Sequence, residues 1–349
     1  MALNINDLVQ LGKIAMNANP SAPTAYSFNG QNLSYQAVNE TLRNELNELA
    51  SDYYAFQENK MVLFRVMTQV IDDVLPKKLQ DRYADLAEVK VFAQGDKAEF
   101  KRNRTNNRRA KQFITRVGLA GVYEVFKLGR KTESFQVPTS ALGGAAQIGF
   151  EEFLDGRIDM VDVLNVVLEG IDEAISLEIA KAMESSINQL PINNRVAVDG
   201  WDEASMDRLV TIASAYGAPV IYCTREFAVR MIPEQGWATE AMKTQLWNNG
   251  WLGNYKGTKV VILEQSFTDE TNSLKVIDPR YAWVIPTGVD GKPVKVAIEG
   301  ETLMDEHKNR DWSREIEVYK KVGVVAMLNN SICSYIDNSL KMELIPAQG

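Results

Sequence analysis

Residues 158–188 read IDMVDVLNVVLEGIDEAISLEIAKAMESSIN. Leu164, Leu168, Ile171, Ile175 and Ala182 recur at three-, four- and seven-residue steps, with Val167 and Ala174 beside them. That is the period of an amphipathic helix, and it predicts one roughly 45 Å long at about 1.5 Å per residue. The other face is acidic: Asp159, Asp162, Glu169, Asp172, Glu173, Glu178 and Glu184 stand against Lys181 as the one base. A solvated face on a core helix and a surface with a task of its own both fit that pattern. An apolar stripe of this length needs a cover, and the flanking sequence must supply it.

Downstream, the helix closes near Pro191, and residues 192–300 read as an α/β unit. Asp202 or Ser205 can start a helix through Tyr216, with Gly217 as its C′ residue. APVIYC reads as a buried strand, TREFAVRMI as a short helix between Thr224 and Pro233, and WATEAMKTQLW as another helix. Gly253 and Gly257 punctuate the turn in GWLGNYKGTKVVIL before a strand at Thr258–Leu263. LKVID and YAWVIP read as further strands, and PVKVAIEG as an edge strand or hairpin arm. Residues 301–349 carry the charged loop MDEHKNRDWSRE and then the strands of EIEVYKKVGVVAMLNNSICSYID. A domain made of the long helix and these last strands, with the α/β unit inserted between them, covers both apolar surfaces.

Upstream, residues 1–33 hold one short amphipathic segment (Leu3, Leu8, Leu11, Ile14) and the turn-rich stretch NPSAPTAYSFNGQN, which reads as an extended arm. Ser34 is positioned to cap a helix with Leu42, Leu46 and Leu49 on one side. A further helix over 56–74 should stop at Pro76. These helices carry too little apolar surface for a core of their own, so we expect them to pack on something else, another subunit included. From 89 to 150 short β-branched and aromatic runs alternate with Gly95, Asn106, Asn107, Gly118, Gly121, Gly129, Gly143 and Gly144, the pattern of long β-hairpins. Within it, residues 97–116 are basic: Lys97, Lys101, Arg102, Arg104, Arg108, Arg109, Lys111 and Arg116, opposed by Asp96 and Glu99. A charged hairpin with little to bury reads as an arm that leaves the body, its charge guarding the strand edges.

Composition narrows the function. At 349 residues there is room for two domains. No stretch of about 18 uncharged apolar residues is present, and the N-terminus lacks a basic leader before an apolar core, so neither a membrane span nor a secretory signal is expected. Cys223 and Cys333 sit far apart in apolar runs and read as buried free thiols. A net charge of −8 disfavours generic affinity for nucleic acid. The single histidine, His307, lies in a charged run and reads as a surface residue, which rules out zinc sites built on several histidines. No phosphate-binding, dinucleotide, nucleophile-elbow or zinc-protease motif occurs, and no cofactor is expected.

Three stretches carry a family resemblance: SFQVPTSALGGAAQIGFEEFLDGRIDMVDVL, AYGAPVIYCTREFAVRM, and WLGNYKGTKVVILEQS with its glycines at 253 and 257. In that order, with a basic hairpin ahead of them, they resemble the major capsid proteins of tailed bacteriophages, the Hong Kong 97 fold. The resemblance covers nearly the whole chain and implies an α+β fold with named parts. Residues 1–55 would be the N-terminal arm, 56–88 a helical segment joining it to the body, and 89–150 the extended loop. Residues 151–191 would hold the spine helix of the peripheral domain, 192–300 the axial domain, and 301–349 the C-terminal strands of the peripheral domain. It implies a structural protein, not an enzyme, that self-assembles through pentamers and hexamers into an icosahedral or prolate head around double-stranded DNA. Scaffolding and portal proteins would be partners, and assembly would take place in the host bacterial cytoplasm. Some relatives lose an N-terminal segment on maturation; here the chain starts at Met1, and an uncleaved arm is expected. Some relatives cross-link a loop lysine to a neighbour's asparagine, a role that Lys97, Lys101 and Lys111 could fill by position.

Two expectations about charge follow from the shell reading. The basic residues of 97–116 should lie on an acidic surface of an adjacent subunit, either the acidic helix face or the run 299–306. Asp162, Glu169, Asp172, Glu173 and Glu178 should face the interior and repel packaged DNA, letting it slide. Two rivals stand beside this reading. One is a nucleic-acid-binding protein that uses the hairpin, which has only Phe100 and Phe113 available for base stacking. The other is an encapsulin-like shell, which shares the fold and houses an enzyme instead of DNA.

Overall fold

The computed structural model describes residues 4–17, 26–28, 30–83, 86–104, 131–148, 160–231, 239–263, 265–267, 269, 271–287, 292–308, 314–328 and 330–343. The chain divides into two compact units. One comprises Met1–Glu99, Gln136–Ser176 and Lys295–Val324; the other comprises Phe100–Phe135, Leu177–Val294 and Val325–Gly349.

The first unit begins with three helices, α1 (Ile5–Asn17), α2 (Tyr35–Leu49) and α3 (Tyr53–Arg82), with a small antiparallel pair, β1 (Tyr26–Phe28) and β2 (Gln31–Leu33), between α1 and α2. The Ser34 side chain caps α2 by accepting from the Ala37 N–H at 3.3 Å. Val38, Leu42 and Leu46 then fall one turn apart and are at most 1% exposed. The expectation that these helices pack on something else, another subunit included, with 1–33 as an extended arm, is corrected: Leu8 and Leu11 of α1 are 3% and 0% exposed, in the same core as Leu63, Met67 and Ile71 of α3. Fully burying each such side chain stabilises by about 1.5–3 kcal/mol, so the short amphipathic segment is held to its own chain. At Gly12 a Cβ would come within 2.6 Å of a Val70 methyl, so any larger residue would push α1 off α3.

The helix expected to stop at Pro76 runs through it to Arg82. Pro76 cannot donate to the carbonyl of Asp72, one turn earlier. Two features offset that loss. Val74, Leu75 and Leu79 are all 0% exposed. The Asp72 carboxylate accepts from the Thr302 N–H at 3.1 Å and from the buried Lys320 ammonium at 2.5 Å.

Four strands form the unit's sheet, β3 (Ala87–Phe92), β6 (Ser140–Ile148), β12 (Val294–Lys308) and β13 (Arg314–Ala326), in the order β3-β12-β13-β6. VKVF and the first three residues of AQIGF, read from sequence as hairpin arms, are thus on sheet edges, with Gly149 and Phe150 outside the described residues, and PVKVAIEG is an inner strand. The long helix, α4, spans Met160–Ser185. Val161, Leu164 and Leu168 share a buried core with Ile316 and Val318 of β13. The helix therefore finds its cover in the C-terminal strands and in α1–α3 together.

The second unit is a six-stranded mixed sheet, β7 (Arg195–Val198), β8 (Ala218–Thr224), β9 (Asn254–Tyr255), β10 (Thr258–Leu263), β11 (Tyr281–Thr287) and β14 (Cys333–Asp337), in the order β7-β14-β11-β8-β10-β9. Helix α5 (Glu203–Ser214), capped by the Asp202 carboxylate, packs Met206, Leu209 and Ala213 onto it. Helices α6 (Arg225–Arg230) and α7 (Glu240–Asn249) follow. Strand β14 lies inside this sheet, so the division expected at residue 300 is corrected: residues 325–349 belong with the α/β unit. LKVID forms only isolated bridges, and its Lys275 is buried with the ammonium 2.7 Å from Glu226.

Cys223 and Cys333 are both buried and free. β11 lies between their strands, with Cys223 opposite Ala282 and Cys333 opposite Val284, which sets them roughly 12 Å apart, too far to bridge. Burial pushes both thiols up to about 12. Among the described residues no helix is long and apolar enough to cross a membrane, and no cluster of three potential ligands could hold a metal ion.

Candidate functional site

The start of the basic segment lies on β4 (Glu99–Arg104), which pairs with β5 (Lys131–Gln136) in a two-stranded sheet. Ala98 and Phe100 are buried while Lys97, Glu99 and Lys101 are exposed, the alternation of a half-covered strand. Phe100 stacks on Phe135 with centroids 6.1 Å apart. The N–H of Val137 donates to the Ala98 carbonyl at 2.9 Å and carries the pairing to the base of the hairpin. Arg102 and Arg104 fall within β4; Arg108, Arg109, Lys111 and Arg116 lie outside the described residues.

The root is fastened by Glu299 of β12. Its carboxylate accepts from the Thr139 hydroxyl at 2.5 Å and from the Gly95 N–H at 3.0 Å, with the Lys321 ammonium at 3.7 Å. Gly95 precedes β4 and Thr139 follows β5, so one carboxylate ties both ends of the excursion. The Thr139 hydroxyl, then the Gly95 N–H, hold this carboxyl below the ordinary glutamate range. Composition placed Glu299 in an acidic docking run, and that assignment is corrected. Glu306 is also engaged within the chain, 3.1 Å from Lys60. Glu301 and Asp305 are the acids of the run that remain exposed.

The acidic helix face is narrower than the sequence suggested. Asp162, Glu169 and Glu173 are exposed and lie within about 40° of one another at roughly 100° per residue. Asp162 is 3.4 Å from Arg43. Asp172 leaves this face: it is 5% exposed and accepts from Arg82 at 2.8 Å. Glu178 falls roughly 160° round the helix from Asp162. Burial raises its carboxyl above the ordinary range, against the opposing pull of Lys181. His307 lies on the surface, 60% exposed and 3.5 Å from Glu317.

The turn between β9 and β10 places Lys256 and Gly257 at φ +45° and +84°, the doubly left-handed loop of a two-residue hairpin, which suits glycine at its second position. Tyr255 donates to Asp207 at 2.9 Å, and the Lys256 ammonium sits 2.5 Å from both Glu203 and Asp207. Gly253 accepts from the Val260 N–H at 2.9 Å. The turn is thereby tied to the start of α5, beside the aromatic cluster Trp201, Phe227, Tyr255 and Tyr335. Sequence reading missed the Glu299 fastening and the exposure of Trp247 on α7, which is 90% exposed. The second left a trace: TEAMKTQLWNN lacks the apolar stripe of a helix that covers a core.

Hairpin, long helix, α/β unit and return strands occur in the order that the capsid resemblance implies. Residues 5–337 match the family described as "SPbeta prophage-derived putative capsid protein YonB". The chain belongs to this capsid protein family. No curated protein matches it. Among solved structures, it is similar to one from Microbacterium phage Oxtober96 (8% identity, TM-score 0.48, covering 74% of this chain and 90% of that one). The acid-stable capsid of Helicobacter pylori bacteriophage KHP30 is similar at 11% identity and TM-score 0.47, covering 73% and 90%. The SrpI encapsulin of Synechococcus elongatus is similar at 9% identity and TM-score 0.41, covering 73% and 87%.

Proposed function

We propose that this capsid protein builds a closed head with the Hong Kong 97 arrangement, from rings of five and six copies, around double-stranded DNA. It would need scaffolding and portal proteins as partners and the host cytoplasm as its place of assembly, and would carry no catalysis of its own. The observation that carries this reading is the family match over residues 5–337. A hairpin fastened at its root by one carboxylate and basic beyond it supports the reading, because it suits a long reach over a neighbour.

Ring interfaces are head-to-tail, and their rotation closes at a fixed number of copies. The α/β unit would take the axial role and the first unit the peripheral one. The hairpin would lie on a neighbour's Glu301 and Asp305, since Glu299 and Glu306 are engaged within their own chain. Exposed ion pairs contribute about 0–1 kcal/mol each, so the gain comes from repetition round the shell. Arg102, Arg104, Arg108 and Arg109 suit two-pronged contacts with carboxylates better than lysines would. The stripe Asp162, Glu169 and Glu173 would face the DNA and repel it.

The test is charge reversal in the hairpin. Arg104→Glu with Arg109→Glu should leave folded subunits that form no shells, read by light scattering and circular dichroism. Normal shells from this variant would contradict the role given to the hairpin. Nuclease-resistant DNA in particles made with the neighbouring genes separates a phage head from a shell that houses an enzyme.

A further inference from the structure

Helix α7 is held in shape and contributes no residue to a core. Thr239 caps its start, accepting from the Met242 N–H at 3.4 Å, and Gly250 closes its end at φ +81°, donating to Leu246 at 2.8 Å. None of its residues is buried. A ten-residue helix is marginal in water, so capping without burial marks a helix kept for presentation. What it presents is Trp247, 90% exposed.

The same unit carries a cavity of about 390 Å³ lined by Trp201, Met231, Met242, Leu252 and Tyr255. These apolar and aromatic side chains make up most of its wall, with Glu203, Gln245, Asn254 and Lys256 completing it, and it is large enough for an indole ring. Met242, Gln245 and Leu246 are the half-covered residues of α7, and Met242 and Gln245 line the cavity. Trp247 falls roughly 140° round the helix from Met242. Knob and hole therefore lie on opposite sides of one helix. No chain can seat its own knob in its own hole, and a two-fold contact is not the natural fit. Repeating the contact head to tail is, and that geometry closes rings.

Charge agrees with this pairing. Lys243, one turn before Trp247 on the same side, is half exposed, and its bridge to Glu240 is a surface one. Glu203 stands on the wall of the cavity and Asp207 just outside it; both lie 2.5 Å from the single Lys256, so this group of three carries a net charge of −1.

We infer that Trp247 of one copy inserts into the Trp201–Met231–Leu252 cavity of the next copy, with Lys243 facing the neighbour's Glu203–Asp207 rim. The inference rests on the shell reading and deepens it by naming the ring contact. A buried tryptophan in an apolar pocket is the residue type that dominates such interfaces.

The experiment places a benzophenone amino acid at position 247 and irradiates assembled particles. Cross-linked multimers should appear, with the adduct mapped by mass spectrometry to Met231, Leu252 or Tyr255 of a neighbouring copy. In parallel, Trp247→Ala should keep the wild-type circular dichroism and melting temperature while shell yield falls at least about tenfold. Adducts elsewhere, or Trp247→Ala shells in wild-type yield, overturn this contact and leave the shell reading standing. Wild-type protein that forms no shells in any preparation overturns both.

Discussion

Helices α2 and α7 are both short, both capped by a hydroxyl at the start, and both rich in polar residues. On α2, Val38, Leu42 and Leu46 are covered by α1 and α3. On α7 no residue is buried and the largest side chain stands in solvent. Local code makes each a helix; what differs is where the apolar surface is covered. In α2 the cover comes from the same chain, so the helix contributes to the stability of the subunit. In α7 the cover has to come from another copy, so the helix contributes to assembly.

That contrast can be broken by substitution. Leu42→Ala should lower the stability of the isolated subunit by about 2–5 kcal/mol, read from chemical denaturation. A loss below about 1 kcal/mol would place the N-terminal helices outside the subunit's own core.

The Glu299 fastening should show an intermediate, local effect that depends on pH. Its folded carboxyl is held below the usual 4.5, so its contribution is fully present above that value and is lost as pH falls through the folded value. The protection factors of the Gly95 and Val137 amides, measured against their intrinsic exchange rates, should therefore fall on acidification, and Glu299→Gln should remove that pH dependence. Equal protection of these amides in wild type and variant across the acid range would show that the carboxylate does not fasten the root.

Trp247→Ala should have the smallest effect on the subunit, within about 0.5 kcal/mol, as for a surface substitution. Its cost should appear only in assembly. A large loss of subunit stability would assign α7 to the core and erase the contrast with α2.

The sequence made some of this plain. The stripe Leu164, Leu168 and Ile175 defines α4 by period alone, and the run from Thr258 defines β10 because a glycine turn precedes it. The covers of those stripes were less legible. The segment Leu8–Leu11 shows an apolar face but not which surface meets it, so a helix packed on α3 looks like an arm. Pro76 looks like a helix end because the packing of Leu75 and Leu79 that carries α3 past it is tertiary. Strands β3 and β6 look like hairpin arms because strand pairing is non-local, and β14 returns to the α/β sheet for the same reason. Of the acids, composition could not separate Asp172, which turns in to Arg82, from Glu169 and Glu173, which do not. Nor could it show that Glu299 serves its own chain.

On the proposed function, this subunit is built to close into a shell. Light scattering with negative-stain microscopy, on the protein expressed alone and with its neighbouring genes, tests that most directly. Closed particles, or rings of five and six copies, are predicted in at least one preparation. A monodisperse monomer or dimer in both would contradict it.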